Sequence, residues 1–345
     1  MMRVAFYMCG GEQSHYYSDV PLGIGYLMAN APKGTHMRLA ATPGELVDCD
    51  LVALSSDATG LKEAVSIVEA SDVPVIIGGQ GTLWPGLAEY NFAHIVRGEG
   101  EVAFCKIVNG TKLPQVVREP NVPEIDTINP PVLGRLKSKL VPVMSSRGCP
   151  FSCRFCSSQK FWGGVRFHSA GYVMDEIFRR LVEYPQVNEI YFLDDLFIAH
   201  RSRFEIIYKS WMDAGLHKRL KLRGFVRADV LTHEVLVKLK KMGMHKIRFG
   251  AESGSNRILK MLGKGQTVEQ YWTVVNWCRE LDMGCTASFM HDIPGETPED
   301  VAATKKFISD SGIGKAGWYK FAAFPGTDMW NGESPLEIDM TVRPA

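Results

Sequence analysis

The sequence predicts an α/β chain in two parts: a doubly wound, Rossmann-like N-terminal domain and, after it, a partial (β/α)6 barrel. Three observations predict it. Over the first 110 residues, short apolar runs alternate with helix-like segments, the pattern of a parallel sheet flanked by helices. From Val141 onward, strand and then helix recur about six times, too few units for a closed eight-stranded barrel. Between them, residues 111–140 are rich in proline, from Leu113-Pro114 to Pro130-Pro131, and show little periodicity, as a linker does. The expected organisation is therefore a domain at 1–110, a linker at 111–140, a barrel at 141–330 and a short tail at 331–345.

In the first domain the strand candidates are Val4–Met8, Met37–Ala40, Leu51–Ser55, Val73–Ile77 and His94–Val96. Helical stretches lie at Leu22–Ala31, Leu61–Ala70, Gly86–Tyr90 and Glu101–Val108. Sheets of this kind bind ligands beyond the carboxyl ends of their strands. Those ends carry small turns here: Cys9-Gly10-Gly11, Ser55-Ser56-Asp57, Gly78-Gly79-Gln80-Gly81 and Gly98-Glu99-Gly100. Glycine at such turns lets a backbone approach a bound molecule closely. About ten residues join Met37–Ala40 to Leu51, too few for a crossover helix, so the domain is expected to be trimmed.

In the second domain, strands are expected at Val141–Ser145, Glu189–Leu193, Lys221–Phe225, His245–Phe249, Cys285–Met290 and Trp318–Ala322. Helices are expected at Ala170–Glu183, Arg203–Ala214, His233–Met242, Val268–Leu281 and Pro298–Ser311. Chemistry in such barrels sits on the loops that follow the strands. The loop after the first strand reads Arg147-Gly148-Cys149-Pro150-Phe151-Ser152-Cys153-Arg154-Phe155-Cys156, a C-x3-C-x2-C run with no fourth cysteine nearby. A [4Fe–4S] cluster usually takes four cysteines, so three thiolates would grip three irons and leave the fourth open. A structural zinc site wants four protein ligands in two separated groups, and no second group exists. A disulfide framework suits short secreted chains, whereas this one has 345 residues and eight scattered cysteines.

This spacing, with Phe155 directly before the third cysteine, resembles the radical SAM superfamily. The resemblance implies that Cys149, Cys153 and Cys156 hold a [4Fe–4S] cluster. S-adenosylmethionine (SAM) would chelate the open iron and be cleaved reductively to a 5′-deoxyadenosyl radical. It also gives meaning to later strand ends. Asp194 and Asp195 would face the SAM amino group, against the alternative of capping a helix. Arg227 would hold the SAM carboxylate or pair with Asp229. Glu252 and Ser253, in Gly250-Ala251-Glu252-Ser253-Gly254, would reach the ribose or methionine part, and Pro294-Gly295 would pass near the adenine. His291-Asp292 departs from the family pattern and stands either as a proton-moving pair or as structure. Phe324-Pro325-Gly326-Thr327 resembles the turn that closes these barrels.

The first domain resembles the cobalamin-binding-type domain joined to many radical SAM enzymes. The resemblance rests on Pro21–Leu27, Asp50–Ser56, Pro74–Gly79 and Val96–Glu101. It implies a corrinoid contacted by Ser55, Ser56, Gly78, Gly79, Gly98 and Glu99. Of the D-x-H-x-x-G motif that supplies an axial histidine in some cobalamin proteins, only His15 is kept.

The implied function is cobalamin-dependent C-methylation of an unactivated carbon in a small molecule or peptide, fed by a donor such as flavodoxin or ferredoxin. The alternative is a corrinoid-free radical SAM enzyme performing rearrangement, cyclisation or dehydration, with a vestigial first domain. A methylthiotransferase would use Cys9, Cys49 and Cys105 for a second cluster, but the turn after the third strand has Ser55-Ser56 where that pattern wants cysteine. A non-catalytic iron–sulfur or corrinoid sensor would not need the Glu-Ser-Gly and Pro-Gly-Glu-Thr segments. Trp162, Tyr319 and Trp330 are candidates for a substrate pocket or for packing. Hydrophobic residues at 46%, charged residues at 22% and a net charge of +1 give no nucleic-acid signal. No apolar run is long enough to span a bilayer, and the polar N-terminus and thiol-rich motif suggest a cytoplasmic setting.

Overall fold

The computed structural model describes residues 2–10 and 17–337 and divides the chain into two compact units. The first holds a six-stranded parallel sheet made of β1 (Arg3–Met8), β2 (His36–Leu39), β3 (Leu51–Ser55), β4 (Val75–Gly78), β5 (His94–Val96) and β6 (Val116–Val117), in the order β2-β1-β3-β4-β5-β6. Helices α1 (Leu22–Asn30) and α3 (Glu101–Val108) cover one face, and α2 (Leu61–Ala70) the other. The central strands are apolar on both sides, as a doubly covered parallel sheet requires. Val4 and Phe6 pack with Ile24, Phe104 and Ile107, while Ala5 and Tyr7 pack with Leu61, Ala64 and Val68.

Between β2 and β3 there is one 3₁₀ turn, Pro43–Glu45, in place of a crossover helix. Beside it lies a groove of about 570 Å³ lined by Leu46, Val47, Ile67 and Val73, among others. The segment expected at Gly86–Tyr90 is a 3₁₀ helix, Pro85–Glu89. The proline-rich stretch is part of this unit rather than a free connection. It supplies β6, and it runs against α1 so closely that a Cβ on Gly25 would lie 2.2 Å from the Val132 carbonyl oxygen. Residues 157–164, with the short helix α4 (Ser158–Trp162), and residues 324–337 also belong to the first unit.

The second unit is the partial barrel. Its strands are β7 (Leu140–Val143), β10 (Glu189–Phe192), β11 (Lys221–Arg223), β12 (Phe225–Val226), β13 (Lys246–Glu252), β14 (Gly284–His291) and β15 (Lys315–Lys320). They pair in parallel as β7-β10-β11 and β12-β13-β14-β15, with only Gly224 between β11 and β12, so the third strand of six is one broken strand. A short antiparallel ribbon, β8 (Ser146–Arg147) with β9 (Arg166–Phe167), stands after β7. The helices are α5 (Ala170–Glu183), α6 (Arg201–Asp213), α7 (His233–Lys241), α8 (Asn256–Met261), α9 (Val268–Glu280) and α10 (Pro298–Ser311). Capping residues set several starts: Ser169, Thr232, Ser255 and Thr267 each accept from a first-turn amide. The last strand runs from Lys315 to Lys320, starting three residues and ending two residues earlier than expected. Its partner β14 sets the register, Thr286 opposite Lys315 and His291 opposite Lys320.

Gly254 marks where α10 meets the loop after β13. A Cβ there would lie 2.6 Å from Thr304 Cα and 2.8 Å from the Ala303 carbonyl oxygen. Overpacking of this kind costs about 1–3 kcal/mol. Gly254→Ala should therefore lower the thermal midpoint by several degrees in differential scanning calorimetry, while Gly23→Ala, in α1 with nothing within 4 Å of a Cβ, should not.

Candidate active site

The site is built on the chain that leaves β7. Ser145 and Ser146 are buried there, and Asp194, 1% exposed at the end of β10, grips both. Its carboxylate accepts from the Ser145 amide at 2.6 Å, the Ser145 hydroxyl at 2.5 Å and the Ser146 amide at 2.7 Å. From the other side, buried Arg203 donates to the Ser145 carbonyl and the His168 carbonyl, each at 2.6 Å. Burial pushes the Asp194 pKa up to about 6, against the pull of the Ser145 hydroxyl and Arg203. The structure places the two aspartates of the expected SAM-amino contact differently. Asp194 is committed to the backbone that leads to Cys149, and Asp195 is the member of the pair that lies exposed.

The three motif cysteines follow. Cys149 and Cys153 are half-buried, Cys156 is exposed, and none is in a disulfide. Burial raises the Cys149 pKa, opposed by a hydrogen bond from the Phe151 amide, with Asp195, Arg227 and Cys153 within electrostatic reach. Arg154 ties the loop to the chain after α8, its amide donating to the Leu262 carbonyl and its guanidinium to the Met261 carbonyl, both at 3.0 Å. Among the described residues, no three His, Cys, Asp or Glu side chains converge on a single metal-ion position. A cubane does not ask for that, since it spreads its thiolates over different irons.

Beside the cysteines stands a network of two ion pairs. Arg227, 8% exposed, forks onto Asp229 (Nε–Oδ1 3.1 Å, Nη2–Oδ2 2.9 Å), donates to the Lys264 carbonyl at 2.7 Å and to Cys153 Sγ at 3.4 Å, and lies 3.7 Å over the Phe151 ring. Lys264, 7% exposed, pairs with Glu252 at 2.8 Å and stands 5.6 Å over the Phe155 ring. Glu252 has φ +65°, at a bulge between Gly250 and Glu252 in the pairing of β13 with β14. Its carboxylate folds back onto Gly250, where a Cβ would meet Oε1 at 2.1 Å. Thus glycine at 250 and glutamate at 252 form one unit. Of the expected SAM contacts, Arg227 is closed on Asp229, because both N–H groups of its bidentate edge are used.

Ser253 is expected at the ribose or methionine part of SAM. It is fully buried, with Oγ 3.1 Å from Thr304 Oγ1 and accepting from the Ser255 amide at 3.1 Å, so it fastens α10 rather than facing open space. Pro294 and Gly295 are exposed, and the Gly295 carbonyl accepts from Arg257 at 2.8 Å. His291 lies against Trp318 with ring centroids 5.8 Å apart and Nδ1 3.3 Å from Asp292. Tyr319 is exposed.

Residues 143–308, from β7 to within α10, match the profile of the Radical SAM superfamily. A relative named an uncharacterized methyltransferase, from Pyrococcus horikoshii, is 30% identical over 319 residues, covering 82% of this chain and 69% of its own. The chain belongs to the radical SAM superfamily. It is 26% identical over 278 residues to the anaerobic magnesium-protoporphyrin IX monomethyl ester cyclase of Cereibacter sphaeroides, covering 76% of this chain but only 45% of the cyclase. Its fold matches that of TsrM, a radical SAM methyltransferase from Kitasatospora setae solved with cobalamin and a [4Fe–4S] cluster, at a TM-score of 0.75 and 15% identity, covering 95% of this chain and 74% of TsrM. As a radical SAM enzyme, the chain works with a [4Fe–4S] cluster and SAM.

In the first unit the strand-end turns interlock. The Ser56 amide donates to the Gly78 carbonyl at 3.0 Å, and a Cβ on Gly79 (φ +94°) would lie 2.4 Å from the Ser56 oxygen. Gly79 is therefore demanded by its neighbour strand. Gly98 (φ +87°) lies against the Phe161 carbonyl, and buried Glu99 accepts from the Val122 amide at 3.1 Å. Ser55 is half-buried at the end of β3, and Gly78 faces open space with nothing within 4 Å of a Cβ position. His15 lies outside the described residues. Cys9 and Cys49 are buried in the α2-side core, Cys105 donates to the Asn30 carbonyl at 3.1 Å, and Trp330 packs against that same core. Trp162 meets Phe161 edge-on.

Sequence reasoning missed Ser145, Arg203, Lys264 and Gln266, whereas Asp229 is the alternative partner it named for Arg227. Only Lys264 left a trace, a lone cation between Gly263 and Gly265, both at positive φ.

Asp194→Asn should cost about 2 kcal/mol, since an amide cannot accept all three donors and leaves one unmet. The exposed neighbour Asp195→Asn should stay within about 0.5 kcal/mol. Between the ordinary carboxylate pKa near 4 and the folded value of about 6, the folded chain holds a proton that the unfolded chain has released. The contribution of this group therefore falls as pH rises through that window. Denaturant titrations of the apo chain should show the gap between wild type and Asp194→Asn narrowing from pH 4 to pH 6 and constant above it.

Proposed function

We propose that Cys149, Cys153 and Cys156 hold the [4Fe–4S] cluster and that the enzyme methylates an unactivated carbon of a small molecule or peptide with the help of a corrinoid. The observation that carries the reading is the placement of three unbridged thiols, and no fourth, on the loop leaving the first barrel strand, in a chain that also carries a Rossmann-like unit. When bound, the cluster supplies the electron that splits SAM to the 5′-deoxyadenosyl radical, and the corrinoid would carry the methyl group.

The residues of this chain divide the remaining work. Asp194 and Arg203 fix the backbone before Cys149. Asp195, exposed and within electrostatic reach of Cys149, would face the SAM ammonium. Glu252, held by Lys264, and the Pro294-Gly295 turn line later strand ends, where the ribose and adenine would lie. For a corrinoid, Ser55 and Gly78 form the part of the first unit that suits a flat macrocycle: small side chains at adjacent strand ends, with open space in front of Gly78. The low potential needed for SAM cleavage calls for a protein donor such as flavodoxin or ferredoxin, and for a reducing cytoplasm. No helix among the described residues is long and apolar enough to cross a membrane.

A second reading, radical chemistry without a corrinoid, is favoured by one observation: Gly79, Gly98 and Glu99 are occupied by contacts within their own unit.

Anaerobic reconstitution tests both. Wild type should hold about four irons per chain and cleave SAM under dithionite. Cys149→Ala, Cys153→Ala and Cys156→Ala should each reduce cleavage to background, and turnover retained in any one of them removes that cysteine from the cluster. Desalting after addition of hydroxocobalamin should leave roughly one corrinoid per chain, with retention weakened by Gly78→Leu. No retained corrinoid alongside intact SAM cleavage would select the second reading.

A further inference from the structure

We propose that Arg227 is a positioning residue for the cluster ligand Cys153: it donates a hydrogen bond to the thiolate and thereby raises the reduction potential of the cluster, and it does not bind the SAM carboxylate. The inference rests on the cluster assignment above.

The guanidinium is held on four sides. Its Nε–Nη2 edge is closed by Asp229 at 3.1 and 2.9 Å, and Asp229 is itself fixed by Gln266 Nε2 at 2.7 Å. The second Nη2 hydrogen goes to the Lys264 carbonyl at 2.7 Å. The plane lies over the Phe151 ring at 3.7 Å, and Nη1 reaches Cys153 Sγ at 3.4 Å. A carboxylate is recognised by two parallel N–H groups on one edge of the fork. One edge is spent on Asp229, and on the other Nη2 is turned to Lys264 and Nη1 to Cys153. What remains is Nη1, with one of its two hydrogens aimed at sulfur.

The charge balance points the same way. Asp229 compensates Arg227, and Glu252 compensates Lys264. The influence of Arg227 on the cluster is therefore directional, through the N–H···S bond, and only weakly a matter of net positive charge. Hydrogen bonds to cluster sulfurs withdraw electron density and favour the reduced state. Cys153 is the middle ligand of the motif, and Phe151, two residues before it, is the ring that sets the guanidinium plane. The loop thus carries both a ligand and the platform for that ligand's donor.

Two quantities are measured on the anaerobically reconstituted holoenzyme: the midpoint potential of the SAM-free cluster, by redox titration with electron paramagnetic resonance, and the Kd for SAM. Arg227→Met should lower the ratio of reduced to oxidised cluster at a fixed potential about tenfold, a shift of about 59 mV to lower potential for a one-electron couple. The SAM Kd should change by no more than about threefold, under 1 kcal/mol. Arg227→Lys should recover part of the shift, because an ammonium still offers a donor. Should Arg227→Met fail to fold, Phe151→Leu keeps the ion pair but removes the platform and should move the potential in the same direction by less. An unchanged potential with SAM binding weakened tenfold or more in Arg227→Met overturns the proposal and makes Arg227 the carboxylate site. An unchanged potential in Phe151→Leu, where that variant is used, also overturns it. A wild type that binds no cluster would instead overturn the underlying assignment.

Discussion

The proposed cluster asks three thiolates to reach three different irons, which needs a backbone that cannot drift, and in this chain buried charge holds it. Asp194 gathers three donors from Ser145 and Ser146, while Arg203 takes the carbonyls of Ser145 and His168. Groups buried this deeply are stable only when satisfied, and all of these hydrogen bonds but the one to His168 end on the chain just before the motif. The loop itself carries little apolar anchorage, since Pro150, Ser152, Arg154 and Cys156 are all exposed. Its fixed points are the clamp before Cys149, the Arg154 bonds to Met261 and Leu262, and Arg227 at Cys153.

The strand ends on the far side obey a related constraint. Glu252 takes a left-handed backbone conformation, which costs a non-glycine residue of order 1 kcal/mol or more. The bulge in the pairing of β13 with β14 and the pair with Lys264 hold it there. In return its carboxylate is turned back over Gly250 and into contact with the chain that follows α8. That chain also receives Arg227 and Arg154. Residues 261–266 thus join the cluster loop, the third strand and the fourth, although the sequence shows there only a short charged turn between glycines.

Much of this was legible beforehand. Helices such as Ala170–Glu183 and Pro298–Ser311 declare themselves by apolar periodicity and by Ser or Thr caps, which are local properties. The C-x3-C-x2-C run is legible because ligand number and spacing are also local. What was not legible depends on which way a residue points once its strand is in register. Asp194 and Asp195 are adjacent and chemically identical, yet one is buried on the backbone and the other exposed. Ser253, next to Glu252, turns instead towards Thr304, fifty-one residues away in sequence. In the first unit Gly79 looks like a ligand contact but is required by the Ser56 carbonyl, whereas Gly78 beside it faces open space. A glycine pair in a sequence does not say which member packs and which is free.

The electrostatics of the barrel site follow from this pairing. Arg227 with Asp229 and Lys264 with Glu252 leave the wall beside the cysteines close to neutral. On the proposed assignment the thiolates and their irons add their own charge, with Asp195 within electrostatic reach of Cys149. Three thiolates on a cluster core of charge about +2 sum to about −1, so the uncompensated charge is negative, and a sulfonium with its ammonium is the complementary ligand. A wall with one unpaired arginine or lysine would repel that cation and would raise the cluster potential through net charge as well. Paired charges avoid both effects, and they leave a directional bond such as that proposed from Arg227 to Cys153 as the way for this wall to act on the potential. On this view the buried ion pairs serve less to stabilise the fold than to keep the site electrically quiet for a cationic cofactor.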